Sequence, residues 1–230
     1  WCMYCKTALA QAEVEYEDQQ TPSVWVKFPL TSTPQELESK LAGRPAFAVI
    51  WTTTPWTLPA NLAIAVHPTQ SYVAVEIAGE VYLVAGALLP EFLTLLKEPA
   101  HEILAAFEGG RLVGHGFTHP WIAREGTIAA AEFVAMDQGT GLVHIAPGHG
   151  EEDYELGRRL RLKVYNPVDD DGRFVPEVEH FAGLTVWEAN PKIIDHLRAT
   201  GMLVAQRPLS HTYPHCWRCK NPTLFRATEQ

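Results

Sequence analysis

Two Cys-x-x-Cys pairs stand at opposite ends of the chain, Cys2 with Cys5 and Cys216 with Cys219. Two such knuckles supply four thiolates, a donor set suited to tetrahedral zinc. The stretch between them is far longer than in a compact zinc ribbon, so they meet only if the fold brings both chain ends to one place. Segments 1–20 and 205–230 are therefore expected to converge as knuckle-bearing arms around a single domain spanning 1–230. A domain inserted into a host needs that geometry, because the chain must enter and leave at nearly one point. A disulfide pair or free buried thiols are the competing readings, and structural zinc ranks above both.

The chain has 230 residues, 47% of them hydrophobic, enough for one substantial core. It begins at Trp1 and ends without a terminal signal, and so reads as an excised segment. No apolar run approaches the roughly 18–20 residues that cross a bilayer, so a soluble protein without a membrane partner is expected. A formal net charge of -9 argues against a general grip on nucleic acid, which rests on neutralising phosphates. Any RNA contact must be local, for instance at Arg158, Arg159, Arg161 and Lys163, or at Arg207, Arg218, Lys220 and Arg226.

Periodicity predicts a half-buried strand over 23–30 after a polar loop at 15–21, and a helix from Thr33-Pro34 to about Gly43 with Thr33 as cap. Strands are expected at 46–51, 72–77, 81–85 and 127–136, with a tight hairpin through Ala78-Gly79-Glu80. Short helices are expected over 89–97 and 152–161, and from Asn190-Pro191 to just before Gly201. The Asp169-Asp170-Asp171-Gly172 run reads as a turn, since no calcium-loop pattern continues from it. Many short strands with few helices imply an α+β chain, β-barrel-like, with peripheral helices.

Two stretches carry chemistry. In Trp51-Thr52-Thr53-Thr54-Pro55-Trp56-Thr57-Leu58-Pro59-Ala60-Asn61, three hydroxyls are followed by prolines that fix φ and remove donors, which suits a rigid polar rim. The competing reading is an edge strand running into a proline turn. In Gly139-Thr140-Gly141-Leu142-Val143-His144-Ile145-Ala146-Pro147-Gly148-His149-Gly150-Glu151-Glu152-Asp153-Tyr154, a strand passes through a glycine turn into a helix whose first turn is acidic, where the helix dipole favours carboxylates.

Together the two stretches resemble the editing (connective peptide) domain of class I aminoacyl-tRNA synthetases, most closely the isoleucyl type. Thr54-Pro55-Trp56-Thr57-Leu58-Pro59 replaces the arginine-proline pair of the valyl and leucyl relatives. The resemblance implies a β-barrel-like editing domain that hydrolyses valine mischarged on the isoleucine tRNA and, at the same pocket, valyl-adenylate. It implies that Asp153 receives the α-ammonium, that His144 limits pocket size, and that Thr52, Thr53 and Thr54 contact the terminal adenosine and position water. Thr53, Thr54 and Asp153 are then the catalytic set, with Thr52, Trp56, Asn61, His144 and His149 binding substrate. Trp56 either stacks on the adenine or only packs. The implied partners are the 3′ aminoacylated end of that tRNA, the valine moiety and the rest of the synthetase in cis, in the cytoplasm. The signature motifs of the ATP-using synthetic site are missing, so ATP belongs to the full-length enzyme only.

Two other readings stay open. His144, His149 and Asp153 could ligate a catalytic metal, making a metal-dependent hydrolase. Alternatively the chain is a zinc-stabilised RNA-binding module without catalysis, against which its acidity counts.

Overall fold

The structure, a computed structural model, describes residues 1–228. Its first long element, β1 (Val14–Pro29), already departs from the sequence expectation, because residues 15–21 continue the strand rather than looping. The polar half of β1 is solvated on both faces, so it shows none of the apolar alternation that marks a half-buried strand. Helix α1 (Gln35–Leu41) follows, with Pro34, not Thr33, at its N-cap position. Next come β2 (Ala46–Thr52), β3 (Ala63–Val66), and a hairpin of β4 (Ser71–Ile77) and β5 (Glu80–Ala85). The turn sits at Ala78 and Gly79, both at positive φ.

After helix α2 (Leu89–Leu95) the chain adds β6 (His101–Glu108), β7 (Gly116–Thr118) and β8 (Glu125–Ala130). The sequence pattern gave no strand at β6 and ran β8 on to Met136; residues 131–136 instead turn aside. Strand β9 (Leu142–Ile145) and helix α3 (Glu151–Arg159) form the expected strand–turn–helix. Helix α4 (Val186–Ala199) starts before Asn190-Pro191, where Thr185 and Glu188 close a capping box, and Pro191 lies inside it. The capping box outcompetes the proline as a start signal. The last strand is β10 (Leu203–Cys216).

These strands make two sheets, one ordered β10-β1-β2-β5-β4-β6 and one β7-β8-β3-β9. Both are mixed, with β2–β5 and β3–β8 parallel. The sheets do not close on themselves. A single bridge, Leu30 with Phe117, joins the end of β1 to β7 at a shared corner, so the barrel-like expectation holds only loosely. The main core lies between the sheets, where Phe28, Ile50, Leu58, Ile64, Leu83 and Ile128 are fully buried or nearly so, and α4 adds Ile193 and Leu197.

β1 and β10 pair antiparallel from Val14–Cys216 to Val26–Leu203, and beyond this ribbon the two chain ends pack together, with Met3 and Leu224 buried in the main core. Cross-strand polar contacts hold it, including Thr21 Oγ1 with His211 Nε2 at 2.8 Å. No helix among the described residues is long and apolar enough to cross a membrane.

Candidate functional site

The first threonine stretch leaves β2 at Thr52 and winds into a 3-10 turn over Pro55–Ala60, buried throughout. Its hydroxyls bond one another instead of a strand neighbour. Thr52 Oγ1 accepts from the Thr54 amide at 3.1 Å and lies 3.2 Å from Thr54 Oγ1. Thr57 Oγ1 donates to the Thr54 carbonyl at 2.9 Å and meets His144 Nε2 at 3.0 Å. With its own proton committed, the Thr57 oxygen takes one from His144, which fixes the Nε2–H tautomer and leaves Nδ1 a buried acceptor without a partner. Burial holds the His144 pKa down to about 4, so the imidazole is neutral at ordinary pH.

The second stretch enters from the neighbouring sheet, β9 being antiparallel to β3. Past Ile145 the chain turns through Pro147-Gly148-His149-Gly150. Gly148 packs so closely on the next segment that a Cβ there would lie 2.3 Å from the Tyr165 carbonyl oxygen. His149 stands edge-on to Trp56 with ring centroids 4.9 Å apart, and its Nδ1 bonds the Phe225 carbonyl at 3.0 Å. Burial, and then the nearby Arg226 charge, lowers its pKa to about 4, and its Nε2 is buried without a partner.

Asp153 lies in the first turn of α3, and its Oδ2 accepts the Ala146 amide at 2.8 Å. That one bond does not offset desolvation: burial, with the Glu152 charge adding, raises the pKa to about 6. The carboxylate opens on a cleft of about 150 Å³ that Trp51, Phe133, Gln138, Gly139 and Val143 also line. Gly139, at φ +78°, admits the Trp51 indole, since a Cβ there would meet it at 2.9 Å. A wider groove of about 820 Å³ shares Phe133 and Glu152 with the cleft. It also presents Glu132, Glu151 and Glu155, a poor seat for phosphate.

The fold thus brings Thr52, Thr54, Thr57 and His144 into one hydrogen-bonded string, sets His149 on Trp56, and places Asp153 in the cleft beside Trp51. Thr53 is half-buried within the same loop. Asn61 stands apart: its side-chain Nδ2 donates to the Ala63 carbonyl, and its backbone carbonyl accepts from Arg124. The Trp56 ring is 2% exposed and covered by packing.

The sequence is 51% identical over 232 residues to the isoleucine–tRNA ligase of Nitratidesulfovibrio vulgaris (strain Hildenborough), covering 100% of this chain and 25% of that protein. It is 48% identical over 230 residues to that of Geobacter sulfurreducens (100% and 25%), and 47% identical over 245 residues to that of Aquifex pyrophilus (100% and 45%). The chain belongs to the isoleucine–tRNA ligase family. It spans about a quarter of the length of the first of these relatives. No protein-family model matches it.

Solved structures share the fold at low identity. The leucyl fragment GlLeuRS-CP1 superimposes with a TM-score of 0.65 at 15% identity, over 80% of this chain and 98% of that one. The P. knowlesi cytosolic leucyl-tRNA synthetase editing domain gives 0.65 at 12% identity, over 82% and 97%.

Away from the cleft, the ligase-family chain gathers its four cysteines. Their sulfurs lie within 4.8 Å of one another, and Cys2 Sγ and Cys219 Sγ are 3.5 Å apart. Zn–S bonds of about 2.3 Å would put tetrahedral sulfurs about 3.8 Å apart, so the set fits zinc. The Cys5 amide points at Cys2 Sγ at 3.3 Å, the turn expected of a knuckle. Among the described residues this is the one group of three or more His, Cys, Asp or Glu that could share an ion, so His144, His149 and Asp153 are not arranged as a ligand set. Sequence reasoning missed Thr57, Trp51 and Gly139. Thr57 could have been found by its three-residue spacing from Thr54, which stacks them on a 3-10 turn.

Proposed function

We propose that this chain is the proofreading unit of an isoleucyl-tRNA synthetase, hydrolysing valine esterified to the isoleucine tRNA. Valyl-adenylate is a second substrate of the same cleft. The observation that carries the reading is Asp153: a mostly buried carboxylate that accepts the Ala146 amide and lines a small cleft with Trp51, the residue that leads into the hydrogen-bonded threonine loop. At neutral pH it is ionised and suited to an α-ammonium group, whose arrival would restore the charge neutrality that burial demands. The aminoacyl ester is already activated, so a water held by oriented hydroxyls suffices and no nucleophilic side chain is needed. In this reading Thr53 and Thr54 orient that water, Thr52 and His149 complete the adenosine side, and His144 limits the cleft. Trp56 and Asn61 serve by shaping the loop from within the core.

Such a site answers a limit on binding selectivity. One methylene is worth only about 1–3 kcal/mol in an apolar pocket, so rejection of valine needs a second, smaller sieve. The tRNA body, the rest of the synthetase in cis and a cytoplasmic setting follow from the same proposal, as does structural zinc on Cys2, Cys5, Cys216 and Cys219, where the ion would clamp the two chain ends together.

The test is release of amino acid from valyl and isoleucyl esters of the isoleucine tRNA by this chain and by Asp153→Ala. Loss of valine alone, abolished in the variant, supports the proposal. Equal hydrolysis of both esters, or full activity in Asp153→Ala, would refute it.

A further inference from the structure

Helix α4 reaches into the threonine loop through one side chain. Asn190 Oδ1 accepts the backbone amide of Trp56 at 2.9 Å, across 134 residues of sequence. That amide is the first donor of the 3-10 turn, because Pro55 ahead of it has none, and Thr54 at the N-cap offers no side-chain cap. The next amide, of Thr57, is satisfied within the turn by the Thr54 carbonyl. Trp56 is 2% exposed, so without Asn190 its N–H would be a buried donor lacking a partner. The sequence does not announce this role, since Asn190-Pro191 looks like a helix start. In the fold the pair lies within the helix, and the asparagine side chain caps a different one.

The turn so capped joins two contacts of the proposed site. Trp56 lies against His149 on one side, while Thr57, one residue on, ties Thr54 to His144. We infer that Asn190 is a positioning residue for the hydrolysis, acting through the Trp56 amide to hold Thr54 and Thr57 in register with His144. The inference rests on the function proposed above.

The experiment compares Asn190→Ala, Asn190→Leu and Asn190→Asp with the wild-type chain, each held below its own melting transition. The readouts are kcat and KM for valine release from the valyl ester and amide hydrogen exchange at 56–58. Alanine and leucine should lower kcat by about 10- to 100-fold with KM within about threefold, since a small misplacement of reacting groups falls on the chemical step. Aspartate keeps an acceptor oxygen and should stay within about threefold of wild type. Exchange at Trp56 should accelerate by about tenfold or more in Asn190→Ala and Asn190→Leu alone. Wild-type kcat in Asn190→Ala, or an Asn190→Asp as impaired as alanine, would overturn the inference. Failure of the underlying functional reading looks different, because then the wild-type chain itself releases no valine.

Discussion

The cleft and the cysteine cluster are built on opposite plans. The cysteines come from the two ends of the chain and meet where β1 begins and β10 ends, beside Met3 and Leu224 of the main core. The cleft and the threonine loop behind Trp51 take their residues from the middle of the chain, and the loop depends on neighbours in other elements: Thr57 on His144, Trp56 on Asn190, and His149, which packs on Trp56, on Phe225. With the proposed zinc bound, one region clamps the chain ends, and the other depends on the packing around it. Changes at the cysteines should therefore read out as stability and changes in the cleft as rate.

The largest separation should come at Asp153. Asp153→Ala is expected to lower valine release by about 10²–10³-fold, the scale seen when one preorganised electrostatic partner of a reaction is removed. Its melting temperature at pH 7 should move by only a few degrees, because relief of the buried charge is offset by the Ala146 amide left without its acceptor. Steady-state kinetics and a thermal melt check both halves. The converse change is Cys216→Ser or an added chelator. Loss of the proposed zinc, on the order of 3 kcal/mol, would lower Tm by roughly 6–12 °C, while valine release below the transition stays within about twofold.

Thr57→Val tests whether the threonine–histidine string is a unit. It leaves the His144 Nε2–H buried without an acceptor, costing about 1–3 kcal/mol, and should slow hydrolysis by about tenfold, while Thr57→Ser keeps both. The pH profile sharpens the contrast further. kcat/KM should fall about tenfold per unit as pH drops below about 6, where Asp153 takes its proton. Its effect on stability has the opposite sign: with the folded pKa raised, the fold binds that proton more readily than the unfolded chain and gains stability as pH falls through 6. His144 and His149, with folded pKa values lowered, contribute stability above the usual imidazole range and lose it as pH falls toward 4. Smallest of all, Arg198→Ala removes an exposed pair with Asp195 and should leave Tm within about 1 °C and the rate unchanged.

The two regions were also unequally legible. Cysteine spacing speaks directly, because four thiolates at paired intervals have few other uses, and it foretold that the ends converge. The cleft was visible as two motifs, but their mutual contacts were not. That Thr57 meets His144, or that Asn190 caps Trp56, depends on the pairing of β3 with β9 and on where α4 packs, and no local pattern encodes either. Strand content was hidden for a related reason. Residues 15–21 form a strand by pairing with 209–215 in a solvated ribbon, so their polarity imitates a loop. Residues 131–136 did the reverse: β-prone and apolar, they leave the sheet so that Phe133 can wall the cleft.

One measurement tests the separation most directly: valine release from the valyl ester at a temperature below every melting transition, with and without a strong chelator, alongside the melt itself. Division of labour predicts a lower Tm with an unchanged kcat/KM. Loss of hydrolysis at an unchanged Tm would contradict it, placing the metal in the reaction rather than in the scaffold.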